Sequence, residues 1–354
     1  MDISKIKLIA YYLPQYYEID FNNKYWGKGY TEWTVTAKAK PLYKGHYQPH
    51  VPADLGFYNL LMPEARKAQA DMAKEYGIDG FCYWHYWFGG GKTIMEKPFN
   101  AVLESGEPNF PFCLCWANHS WHNPGTKQII YEQKYGDLKD HTEHFYSLLN
   151  AFKDKRYITI DDRPVFAIFA PHEFPDITGF MNLWNGLAQN NGLKGIYFIG
   201  LSQDNSIFDK IKDYNFDAIN TIRLKDFLSY QNKYIDFLRY RINFFHRFTR
   251  YKYSTASKHF IEASDADEKI IPTIIPGWDH TPRTNSKGLF LTDYTPDEFE
   301  CHVRKALDVV SRKQNKLCFI KAWNEWGEGN HLEPDLKWGT QFLERLKKVK
   351  YEYE

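Results

Sequence analysis

Residues 63–87 read PEARKAQADMAKEYGIDGFCYWHYW, and they hold one full step of the fold. Pro63 stands in the first turn of a helical stretch, and Gly77 follows Tyr76 where a helix ends. Ile78–His85 is then a short, almost unbroken apolar run, as a parallel strand covered on both faces should be. Similar runs recur at Ile6–Tyr12, Phe112–Asn118, Pro164–Ala170, Ile196–Ser202, Phe216–Thr221, Ile270–Gly277 and Leu317–Trp323. Between them, Leu138–Phe152 and Thr295–Val310 show helical spacing, the second opened by Thr295-Pro-Asp-Glu298. Eight strands alternating with helices predict an α/β fold: a single (β/α)8 TIM barrel as one domain over residues 1–354. An open doubly wound sheet would carry a glycine-rich turn after its first strand, and here that turn reads LPQYY. Two connections are too long for a minimal barrel. One is Leu13–Leu61, after the first strand. The other is the insertion 222–268, after the sixth, whose Arg223–Phe260 part interleaves basic and aromatic residues.

Composition narrows the function. Forty-five basic and forty-four acidic residues leave a formal charge of +1, which argues against a nucleic-acid partner. Aromatic residues make up 18% of the chain, and sugar clefts use such rings because a pyranose has an apolar face. The start of the sequence lacks the pattern of an export signal, and no run approaches the length of a spanning helix. Cys82, Cys113, Cys115 and Cys318 lie in apolar strand-like runs, as reduced thiols would. A cytoplasmic location is expected.

In such a barrel the reacting groups project from the C-terminal strand ends. The last end carries the sharpest constellation, Trp323-Asn-Glu-Trp-Gly-Glu-Gly329. Glu325 and Glu328 offer the two carboxyl groups that glycosidic cleavage needs, one as acid and one as base or nucleophile. Neighbouring indoles would desolvate one of them and so divide the roles. Tyr12, Tyr83, His85, Trp116, Asn118, Trp121, Trp278, Asp279, Asn324 and Trp326 are expected to line the same cleft as substrate contacts. Three patterns lead elsewhere. Gly89-Gly-Gly-Lys-Thr93 lacks the first glycine of a phosphate loop. His119 and His122, placed on one helix face, lack a third metal ligand. Asp265-Ala-Asp267 precedes a strand, at the inactive end, and reads as a solvated acidic turn. No metal and no cofactor is expected.

Several longer stretches resemble a known family. Tyr12-Leu-Pro-Gln15, Trp26-Gly-Lys-Gly-Tyr-Thr-Glu-Trp33, Gly45-His-Tyr-Gln-Pro49 and Gly77-Ile-Asp-Gly-Phe81 resemble the WbsX-type proteins of bacterial surface-polysaccharide clusters. So do Phe112-Cys-Leu-Cys-Trp-Ala-Asn118, Pro276-Gly-Trp-Asp279 with Pro282-Arg283, and Trp323-Asn-Glu-Trp-Gly-Glu-Gly329. These proteins are similar to glycoside hydrolase family 99, the endo-α-mannosidase group. That resemblance implies retention of configuration through a 1,2-anhydro sugar, with Glu325 as base toward the 2-hydroxyl and Glu328 as acid/base at the glycosidic oxygen. The sequence departs from those hydrolases at Gly327 and at Asn330-His331.

The residues and the resemblance together predict a carbohydrate-active enzyme acting on α-linked, mannose-like glycans, free or lipid-linked. The alternatives are a glycosyltransferase of O-antigen or capsule synthesis and a non-catalytic glycan-binding barrel. Arg223–Phe260 is expected to pack on the barrel or a second subunit. Its other reading is a peripheral membrane contact, with Phe244, Phe245 and Phe248 in the headgroup boundary and Arg241, Arg247 and Arg250 on anionic lipid.

Overall fold

The computed structural model describes residues 5–123, 126–230, 250–285 and 288–354. Eight parallel strands form its centre: β1 Lys7–Tyr12, β2 Gly80–His85, β3 Phe112–Trp116, β4 Arg163–Ile168, β5 Tyr197–Ser202, β6 Ala218–Thr221, β7 Ile270–Ile274 and β8 Leu317–Ile320. Each pairs with the next, and β1 pairs with β8 through Ile9↔Phe319, so the sheet closes into a (β/α)8 barrel. All eight predicted strands are present. Four of them end where predicted, at Tyr12, His85, Ser202 and Thr221; the other four end earlier, so Asn118, Ala170, Gly277 and Trp323 lie in the loops above the barrel.

Among the described residues, seven helices flank the strands: α1 Pro63–Glu75, α2 Lys97–Ser105, α3 Leu138–Phe152, α4 Ile177–Asn190, α5 Asn205–Lys212, α6 Pro296–Ser311 and α7 Gln341–Glu352. Local chemistry sets their ends. The Asp137 side chain accepts from Asp140 N at 3.0 Å to start α3, and Asp176 accepts from Gly179 N at 2.9 Å to start α4. Gly77, at φ +82°, closes the chain beyond α1.

The pleat sorts the side chains of every strand into two sets. Tyr11 points into the barrel, where its hydroxyl donates to Asn220 Oδ1 at 2.7 Å and its ring stacks on Trp84 at 4.8 Å. Tyr12, its neighbour, points outward and donates to Gln69 on α1 at 2.6 Å. The inner set faces the barrel interior and the outer set packs on the helices.

The loop Leu13–Leu61 contains two short helices, Asp20–Trp26 and Glu32–Lys38, which the sequence pattern did not reveal. Glu32–Lys38 packs on the turn at Trp326–Glu328, with Trp33 and Trp326 at 5.5 Å. Within 222–268 the described residues include the turn Asp226–Tyr230 and the helix Tyr253–Ala256. Arg223 is buried there and pairs with Asp265 at 3.3 Å. Asp265 is therefore the buried partner of an arginine and not part of a solvated turn. Arg241, Phe244, Phe245, Arg247 and Phe248 lie outside the described residues. Among the described residues, no helix is long and apolar enough to cross a membrane.

Candidate active site

The site grows from the end of β8. Lys321 follows Ile320 and shares the inward parity of Phe319, so its ammonium enters the barrel mouth. It donates to Glu325 Oε2 at 3.0 Å and Oε1 at 3.2 Å, and lies 3.5 Å from Glu328 Oε2. The rings of Trp84 and Trp278 lie 5.4 and 5.7 Å from the same ammonium. One cation thus serves both carboxylates.

The loop carrying the carboxylates is tied down on each side. Trp323 N donates to Tyr11 O at 2.8 Å, and Ala322 N donates to Asn330 O at 2.8 Å. Asn324 brackets Leu13, accepting from its N–H at 2.7 Å and donating to its carbonyl at 3.0 Å. From the first-strand loop comes Glu32, and from the loop after β7 comes Arg283. The guanidinium donates to Glu328 Oε1 at 2.7 Å and to Glu32 Oε1 at 2.6 Å. Glu32 Oε1 also accepts from Gly327 N at 3.1 Å. A Cβ at residue 327 would stand 2.0 Å from that oxygen, so glycine there is the condition for Glu32 to reach the site. Trp84 Nε1 completes the set, donating to Glu325 Oε1 at 2.7 Å.

Environment separates the two carboxyl groups. Glu325 is buried, and burial followed by the charge of Glu328 raises its pKa to about 7, against the pull of Lys321. Burial acts on Glu328 as well, but Lys321 and Arg283 overcome it and hold the group at about 2. Burial and charge thus push the two groups in opposite directions, so that of the pair Glu325 is the one that keeps a proton to higher pH. Glu328 Oε2 and both side-chain polar atoms of Asn330 are buried without a hydrogen-bond partner among the described residues.

Of the residues expected in one cleft, Trp278 lies beside Lys321, within the site. Asp279 sits just behind it, accepting from His46 at 2.8 Å and Gln48 at 2.7 Å while its N–H donates to Glu328 O at 2.7 Å. Trp121 stands at the rim, edge-on to Tyr86 at 5.5 Å. Tyr12, Tyr83, His85 and Trp116 face outward: Tyr83 meets Phe99, His85 bonds His144 at 2.8 Å, and Trp116 packs on Phe180. Asn118 latches onto the Ala170 backbone at 2.7 and 2.9 Å. Trp326 turns away from the pair, donates to Glu333 at 2.6 Å and stacks on His331 at 3.6 Å. His119 and His122 share no helix, for the chain there is a loop leading into the short strand Trp121–His122.

Reading by sequence did not place Lys321, Arg283, Glu32, Trp84 or Tyr86 among the site residues. Lys321 had a local signal, a lone charge closing an apolar strand. Glu32 and Arg283 stand in stretches that carry the family resemblance, but nothing local ties them to the carboxylates, since each arrives from a different loop.

His50, His331 and Asp335 place possible metal-ligating atoms within 4.8 Å of one another. Their nitrogens are already engaged. His331 Nδ1 bonds the Glu333 carbonyl at 2.8 Å, so it carries the proton and leaves Nε2 to accept from His50 Nδ1 at 2.8 Å. His50 Nε2 then accepts from the Tyr294 hydroxyl at 2.9 Å.

Solved structures show the same architecture. An endo-α-mannosidase of glycoside hydrolase family 99 from Bacteroides thetaiotaomicron superposes with a TM-score of 0.62. The match covers 98% of this chain and 97% of that one at 14% identity, which speaks for the fold alone. A protein described as glycoside hydrolase-like gives 0.59, at 15% identity over 99% and 95% of the two chains. Among curated proteins, the uncharacterized protein WxcX of Xanthomonas campestris is 29% identical over 350 residues. That match takes in 97% of this chain, which spans about half the length of WxcX. The family described as Glycosyltransferase WbsX matches residues 8–346, nearly the whole barrel. By that match the chain belongs to the WbsX glycosyltransferase family.

Proposed function

We propose that the protein is a carbohydrate-active enzyme that cleaves or transfers an α-linked, mannose-like glycan, free or lipid-linked, with retention of configuration. The observation that carries this reading is the divided carboxyl pair, Glu325 pushed up to about 7 by burial and Glu328 clamped as an anion by Lys321 and Arg283. Glycosidic cleavage needs one carboxylic acid and one carboxylate at the same time, and this site holds both near neutral pH. Glu325 gives its proton to the departing glycosidic oxygen. Glu328 takes the proton of the sugar's 2-hydroxyl as that oxygen closes onto C1. In an α-mannose-like sugar the 2-oxygen and the leaving group lie trans, the geometry such a closure requires. This order of roles reverses the one that the family 99 resemblance implies.

A substrate with a leaving group that needs no acid decides the order. On an activated aryl α-mannoside, Glu325→Gln keeps turnover and Glu328→Gln loses it. The opposite pattern restores the order taken from the resemblance. Turnover that survives in both variants on an unactivated glycan removes the pair from the chemistry, and parental protein that binds glycans without turnover is a binding barrel.

Transfer is the second reading, favoured by the family's own description. The same intermediate passes to a sugar hydroxyl if the cleft holds an acceptor in place of water. Strict dependence on a nucleotide sugar would establish synthesis and end the glycosidase reading.

A further inference from the structure

An aromatic strip leads outward from the carboxylates. Tyr86 is buried, and after burial itself the charge of Glu325 is what most raises its phenol, with Glu32 and Glu328 adding to it. Its ring meets Trp121 at 5.5 Å, Trp121 meets Phe21 at 5.5 Å, and Phe21 meets Tyr25 at 4.7 Å. A second line starts at Tyr30, pushed up to about 12 by burial and then by Glu32, and its ring lies 6.0 Å from that of Trp26. Both lines end on the short helix Asp20–Trp26. Exposure rises along the way, from 7% at Tyr86 to 41% at Tyr25 and 38% at Trp26.

Large rings left exposed on one short helix, each at the end of a line of rings, mark a binding surface. The choice of occupant follows from continuity. The strip begins two residues beyond Trp84, which donates to Glu325 at 2.7 Å, and two residues before Glu32, so a chain anchored by its scissile bond at the carboxylates runs along it on leaving the barrel mouth. Flat apolar rings suit the C–H face of a pyranose, and the exposed Lys24, whose ammonium lies 5.4 Å from the Tyr25 ring, suits its hydroxyls.

We propose that Tyr25 and Trp26 form an outer subsite on which pyranose rings stack beyond the reacting bond, so that the substrate is an oligosaccharide and not a mono- or disaccharide. The proposal rests on the glycan reading given above. Its test is calorimetric titration of the Glu325→Gln protein with α-linked mannopentaose and mannobiose. The pentaose binds more tightly, and adding Trp26→Ala weakens pentaose binding on the order of tenfold, which draws the ratio of the two affinities toward one. Phe57→Ala is the control. It removes a ring that is 55% exposed, lies off the strip and packs edge-on against Trp33, and it leaves the ratio where it was. An unchanged ratio after Trp26→Ala, in protein whose thermal midpoint is kept, overturns the subsite. So does the absence of any preference for the pentaose before that substitution. Failure of the assigned chemistry appears separately, as products formed by the Glu325→Gln protein in the same mixtures.

Discussion

Tyr11 and Tyr12 are adjacent, equally buried and made of the same atoms, yet they belong to different parts of the machine. Tyr11, with Trp84 and Lys321, faces the barrel mouth and the carboxyl pair. Tyr12, with Tyr83, His85 and Trp116, faces the helices. The inner set sits among buried charges that hydrogen bonds must satisfy, where a proton or an ammonium changes everything nearby. The outer set is close-packed, largely ring against ring, where volume matters most. A one-residue step along a strand exchanges one environment for the other.

The largest effect expected from the inner set is on rate. Glu325→Gln and Glu328→Gln each lower kcat/KM on an unactivated glycan by about 10²–10⁴, measured as product release on folded protein. The outer set should answer in stability. Trp116→Ala costs about 3–5 kcal/mol in denaturant unfolding, because a ring wedged among His144, Phe174 and Phe180 leaves a cavity. Trp84→Phe keeps most of its packing and loses the donor to Glu325, worth about 1.5–3 kcal/mol, so it lowers turnover more than stability. If Trp116→Ala instead removes activity while leaving the unfolding midpoint in place, the division of the barrel by pleat is wrong.

A third effect is on the pH dependence of stability. The folded pKa of Glu325 is raised, so between the ordinary carboxylate range and about 7 the unfolded chain releases a proton that the folded protein keeps. Stability therefore falls as pH rises through that window, by on the order of 1.4 kcal/mol for each pH step of one crossed within it. Glu325→Gln should shrink the difference between unfolding free energies at about pH 4 and about pH 8, on either side of that window. Glu328 acts in the opposite direction, its stabilisation lost only as pH falls toward 2. The smallest effect is expected from Tyr12→Phe. It removes the bond to Gln69 at a cost of about 1 kcal/mol and leaves the pH–rate profile unmoved. A displaced profile would place Tyr12 in the site after all.

Much of the fold was legible. Parallel strands buried on both faces need long apolar runs, and those runs appear in any single reading of the chain. The helix start at Thr295 was equally local. The site was legible only in part. Glu325 and Glu328 stand in one short segment, so their spacing in sequence is their spacing in space. Choosing among aromatic strand ends required the pleat register, and a strand that is apolar on both faces hides its register. Tyr83 and Trp84 look alike in such a run.

The amino-acid order by itself determined the eight strands, the barrel they imply and the loop that holds two glutamates. The tertiary structure decided which residues serve that loop. Glu32 and Arg283 lie 251 residues apart and meet at 2.6 Å, a contact that no local pattern encodes. It exists because two loops from opposite ends of the chain fold over one barrel mouth, where Gly327 leaves room for them. Burial and charge then act at that meeting point together, and only there do two chemically identical carboxyl groups become an acid and an anion.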